Sequence, residues 1–156
     1  MSRRLKQLVV VLVAVFAAAQ LIRPGRANPP IDPARTIQAH STTAGLAAIV
    51  DRSCGDCHSN ATAWPWYTQI APLSWVVARG VSEGRKAINF SEWGAYSPEQ
   101  QRTLLAASCD DASAGRMPGA YALVRPDVKL SAEDVRTICA AAREADVSAT
   151  SGRRER

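Results

Sequence analysis

Residues that hold metals or attack substrates are scarce here: the 156 residues include two histidines, two methionines and four cysteines. Cys54 and Cys57 form the one close cysteine pair. Cys109 and Cys139 stand apart and make no second pair of the kind that completes a four-ligand zinc site. No serine, cysteine or carboxylate constellation points to hydrolytic or group-transfer chemistry, and no internal repeat is present. Excess charge is missing too. Of the 19 Lys and Arg, five (Arg3, Arg4, Lys6, Arg23, Arg26) lie in the first 26 residues, leaving 14 against 14 Asp and Glu. That balance excludes a nucleic-acid surface, and the high pI reflects the N-terminus and a basic tail.

What is present centres on Cys54-Gly55-Asp56-Cys57-His58. Two cysteines two residues apart, followed at once by histidine, form the attachment pattern of a c-type haem. One helical turn puts both thiols on one edge, each able to form a thioether to a haem vinyl group, while His58 turns under the ring as proximal ligand. A thioredoxin-like dithiol requires a preceding strand, and here the run Thr43 to Arg52 reads as helix.

The chain opens with basic residues and then runs apolar from Leu8 to Ile22, broken only by Gln20, which is the pattern of an export signal. These 15 residues cover roughly 22 Å as helix, short of a ~30 Å hydrocarbon core, and Ala17-Ala18-Ala19 offers a cleavage site. Snorkelling by Lys6 and Arg23 would extend the span, so residues 1–23 are expected to be a signal peptide or an uncleaved membrane anchor, with the anchor favoured. The rest is expected on the periplasmic side of the inner membrane, or free in the periplasm after cleavage. Residues 24–36, with Pro24, Pro29, Pro30 and Pro33, read as a semi-rigid spacer. Residues 37–147 form the domain, and 148–156, ending in Arg153-Arg154-Glu155-Arg156, a disordered tail.

Within the domain the periodicity predicts four helices: Thr43 to Cys54, Pro72 to about Ala87, one capped by Ser97-Pro98-Glu99-Gln100, and one opening at Ser131-Ala132-Glu133-Asp134. The expected fold class is mainly α: a small cytochrome c-like helical domain around one covalent haem, preceded by the signal or anchor helix. Trp64, Trp66, Tyr67, Trp75 and Trp93 are expected both to fill the core and to wall the haem. Beyond the export segment the candidates for a second iron ligand reduce to Met117, in the loop Gly115-Arg116-Met117-Pro118, and His40; an open sixth position is the third option. In an exported protein the leftover pair, Cys109 and Cys139, reads as a disulfide closing a loop that contains Met117, with two buried free thiols as the alternative.

The runs Cys54 to Asn60, Trp64-Pro65-Trp66-Tyr67, Ile70 to Trp75, Gly84-Arg85 and Asn89 to Trp93 resemble the small exported haem-binding domain family related to cytochrome c. Gly115 to Pro118, Tyr121 and Leu130-Ser131 continue the likeness, which covers about Pro24 to Ala141. It implies an N-terminal membrane segment, a single c-type haem and electron transfer. The chain departs from the pattern at Arg125-Pro126, where many members show His-Pro; Arg125 suits a haem propionate geometrically. The expectation is a monohaem c-type cytochrome that passes single electrons between redox partner proteins. Its axial ligands would be His58 and Met117. The alternatives are an enzyme or gas or redox sensor with an open iron position, or an accessory haem domain of a membrane complex.

Overall fold

The computed structural model describes residues 2–154, which contain helices and no strand. Helix α1 (Arg3–Ala19) starts at Ser2, whose hydroxyl accepts from the Leu5 N–H. Its side chains from Leu8 to Phe16 are exposed. At about 1.5 Å per residue its 17 residues measure roughly 25 Å, and no helix among the described residues is long and apolar enough to cross a membrane. The apolar helix is therefore present without the spanning length expected of an anchor. At its C-cap, Gln20 turns its amide onto the domain, where Nε2 donates to Ala71 O (3.4 Å) and Oε1 accepts from Ala71 N (3.0 Å).

The proline-rich segment expected as a spacer lies along the domain as a strap. Its few polar side chains supply the attachments: Arg26 donates to Thr68 O (3.1 Å) and Asn28 to Thr62 O (2.9 Å). The body reaches back as well, with Trp75 Nε1 donating to Ile22 O (2.8 Å) and Asn60 Nδ2 to Pro30 O (3.2 Å). Proline removes backbone donors, and these contacts use carbonyls and side chains instead.

Helix α2 (Ile37–His40) follows. The chain is then helical without a break from Leu46 to His58, as α3 (Leu46–Ile49), a π turn (Val50–Cys54) and α4 (Gly55–His58). The sequence reading ended this helix at Cys54; the motif instead forms its last turn. Helix α5 (Leu73–Ala87) packs on α4. Helix α6 (Pro98–Ser113) begins with the expected capping box: the Ser97 hydroxyl accepts from Gln100 N and Gln100 Oε1 from Ser97 N. In helix α7 (Ala132–Arg154), Asp134 plays the corresponding part on Ser131. The α7 backbone runs through 148–154, which composition had assigned to a disordered tail; Glu155 and Arg156 lie outside the described residues. Helices α6 and α7 are joined by a Cys109–Cys139 disulfide with Cα atoms 4.8 Å apart. Ile37, Leu46, Ile49, Phe90, Leu105 and Ile138 are among the buried residues that knit α2, α3, α6 and α7 into one core.

Candidate functional site

The helical run that ends in the motif is fixed by polar contacts just beyond it. Ser59 folds its hydroxyl back to Gly55 O (2.7 Å), and Thr62 donates to Asp56 O (2.8 Å). Asn60, almost fully buried, donates its backbone N–H to the Ser91 hydroxyl (3.0 Å) and accepts from Asn89 Nδ2 at its Oδ1 (2.9 Å). Arg85 of α5 is the hub. Its guanidinium donates to Ser59 O (2.7 Å), Thr62 Oγ1 (2.7 Å), Ala27 O (2.9 Å) and Asn28 Oδ1 (2.9 Å), tying the residue after His58 to the strap. Next to it, Gly84 lets α5 approach α4 closely: a methyl there would stand 2.5 Å from Cys57 O.

This arrangement aims Cys54, Cys57 and His58 into a mostly apolar cavity of about 200 Å³. Val50, Phe90, Leu104, Leu105, Leu130 and Ile138 supply much of its wall, and Met117 enters from the loop after α6. The Met117 loop is drawn back to α6 through Asp111, whose carbonyl accepts from Arg116 N (2.9 Å) and whose carboxylate pairs with the Arg116 guanidinium (2.7 Å). Both motif cysteines are free thiols. Burial pushes the Cys54 thiol up to about 11, and burial followed by the Asp56 charge raises that of Cys57, so both are protonated at neutral pH. His58 Nδ1–H donates to Ile88 O (3.3 Å), which leaves Nε2 as the available lone pair. Burial also holds the His58 pKa below its ordinary value and keeps the ring neutral.

Several expectations change place. His40 donates to Ala34 O (3.0 Å) and lines a separate cleft that shares only Leu46 and Leu105 with the motif's cavity. No tryptophan lines the motif's cavity. Trp64 donates to Asn28 (3.1 Å), Trp75 to the strap, Trp93 is in the core and Trp66 is exposed; Phe90 is the aromatic ring beside His58, at 6.4 Å edge-on. Arg125 is engaged by Asp127 (2.7 Å) and Asp56 (3.3 Å) rather than left for a propionate. Sequence reasoning gave no role to Asp56, which also accepts from the Tyr121 hydroxyl (2.8 Å), or to the clamp of Ser59, Asn60 and Thr62. The signal was available in the polar run immediately after the motif. Among the described residues no group of three or more His, Cys, Asp or Glu is placed to hold a bare metal ion.

The residues fit a haem. Two thiols, an oriented neutral imidazole and a thioether share one apolar cavity in a small helical domain, a donor set of the kind that suits a haem. The chain belongs to the haem-binding domain family, whose model matches residues 14–144. No curated protein and no solved structure matches it.

Proposed function

We propose that this haem-binding protein is a monohaem c-type cytochrome that carries single electrons, exported and held at the periplasmic face of the inner membrane by its N-terminal segment. The observation that carries the reading is the convergence of Cys54, Cys57, His58 and Met117 on one cavity. Cys54 and Cys57 would hold the haem through thioethers, and His58 and Met117 would ligate its iron. Bound there, haem supplies a one-electron iron couple, and His/Met ligation raises its potential. The chain's own work is positional. Ile88 O fixes the His58 tautomer and ring orientation, Gly84 and Arg85 lock the turn that presents it, and the apolar wall lowers the local dielectric. The disulfide and the Asp111 contacts restrain the Met117 loop, and a disulfide is in keeping with an oxidising compartment.

The test is the absorption spectrum of protein matured with c-type machinery. A sulfur-to-iron band in the oxidised near-infrared, lost in Met117→Ala, supports Met117 ligation and electron transfer. Met117 is 47% exposed, so an open sixth position is the competing reading. A high-spin spectrum indifferent to Met117→Ala would replace the carrier with an enzyme or sensor. Haem that survives denaturation in Cys54→Ala/Cys57→Ala would refute covalent attachment.

A further inference from the structure

The apolar helix α1 does not leave the domain at a polar face. Around its exit, Leu21, Ile22, Trp66, Ile70, Leu73 and Val76 are all exposed, Trp66 at 75% and Val76 at 67%. They are one neighbourhood, because the Gln20–Ala71 pair and the Trp75–Ile22 bond fasten the end of α1 against the start of α5. An exposed cluster of large apolar residues marks a contact surface.

Charge identifies the occupant. Neither residues 1–31 nor residues 57–82 contain a single Asp or Glu, although the chain has 14. The charged groups there are basic, and Arg23 and Arg79 are exposed beside the apolar residues. An apolar surface built from segments that carry arginine and no carboxylate, with an exposed tryptophan among them, matches the interface of an anionic bilayer. It is also continuous with α1, whose run from Leu8 to Ala19 is apolar all round and calls for the same environment. We propose that this face of the domain docks onto an anionic lipid surface, so that the haem domain is seated on the membrane rather than tethered at a distance. The inference rests on the membrane contact proposed for α1 and does not depend on the haem.

Hydroxyl-radical footprinting of the full chain on phosphatidylcholine/phosphatidylglycerol vesicles, read by mass spectrometry, tests it. Trp66 is exposed and Trp64 half-buried, so an undocked domain labels Trp66 more heavily. Docking should reverse that order, with Trp66 labelled several-fold less than Trp64 and the exposed Val147 unprotected. The charge-bearing variant Leu73→Glu/Val76→Glu should restore the original order. Heavier labelling of Trp66 on vesicles overturns the proposal. So does a reversal that disappears when protein is diluted at constant lipid, which would assign the face to a second copy of the chain. Loss of haem changes neither ratio, so failure here is distinct from failure of the cytochrome reading.

Discussion

Two glycines on α5 give the sharpest test of how the motif is positioned. A methyl group at Gly84 would lie 2.5 Å from Cys57 O, 3.0 Å from its carbonyl carbon and 3.2 Å from its Cβ, whereas at Gly80 nothing lies within 4 Å. The obstacle at Gly84 is mostly backbone, so no rotamer change relieves it. Helix α4 must retreat by roughly 0.8–1 Å to restore an ordinary carbon–oxygen separation of about 3.3–3.6 Å. Overpacking of this kind costs about 1–3 kcal/mol, against a gain of up to ~1 kcal/mol from replacing a helical glycine. Gly84→Ala should therefore lose about 1–2 kcal/mol, a Tm lower by roughly 4–8 °C in a domain of this size. Gly80→Ala keeps the gain alone, about 0.4–1 kcal/mol, and should melt a few degrees higher. The retreat also moves His58 away from Ile88 O, so Gly84→Ala should give less covalent haem at equal expression while Gly80→Ala matches the parent. Thermal melts followed by circular dichroism, with haem staining of denaturing gels, read both effects. Equal melting temperatures and equal haem yields in the two variants would refute the close-approach argument.

Three further outcomes are expected. Cys109→Ser/Cys139→Ser opens a disulfide with a sequence separation of 30 residues, and the chain-entropy relation puts the loss at roughly 3–4 kcal/mol; an unchanged urea midpoint under non-reducing conditions would contradict it. Asp134 is held below its ordinary pKa by the Ser131 N–H and then by Arg52, at 2.8 Å. A depressed carboxyl contributes stability above its unfolded value near 4 and loses it as pH falls through the folded value, so Asp134→Ala should flatten the acid limb and, as a lost cap, cost about 1 kcal/mol at pH 7. Unfolding curves from pH 7 to 3 that run parallel for both proteins would count against this. Arg85→Lys keeps the charge but loses the fork that grips Ala27, Asn28, Ser59 and Thr62; trypsin should then cut after Arg26 several-fold faster, and an unchanged cutting rate would show that the strap does not depend on Arg85.

The haem-binding class, the helical class and the α6 cap were legible because each is a local signal: fixed spacing, 3.6-residue periodicity, and a serine three residues before glutamine. The strap was not. Prolines announce stiffness but say nothing of where a stiff segment lies, and Arg26 and Asn28 find their partners 42 and 34 residues away. The tryptophans misled for the same reason: ring size predicts burial, but Trp64 and Trp75 have N–H groups that Asn28 and Ile22 satisfy, and this turns them from the cavity. The place of His40 was not legible either: it follows from Gly94, which leaves room for the imidazole where a side chain would collide with it.

Helix α5 links these features. Its first turns carry Leu73 and Val76 on the face proposed for lipid, and Gly84 and Arg85 near its far end fix the Cys57–His58 turn and the strap. The 12 residues from Leu73 to Gly84 span roughly 16 Å of rigid helix. If the domain docks as proposed, the distance from membrane to haem motif is set by this helix and not by a flexible linker. The strap then has a mechanical reason: a free spacer would let the domain tumble, whereas bonds from Trp75 and Arg85 of α5 to Ile22, Ala27 and Asn28 hold α1 and α5 in one frame. Arg85→Lys should accordingly weaken docking as well as trypsin resistance, with heavier Trp66 labelling on vesicles and no change at Val147. A variant that frees the strap but leaves Trp66 protected would show that the apolar face alone seats the domain.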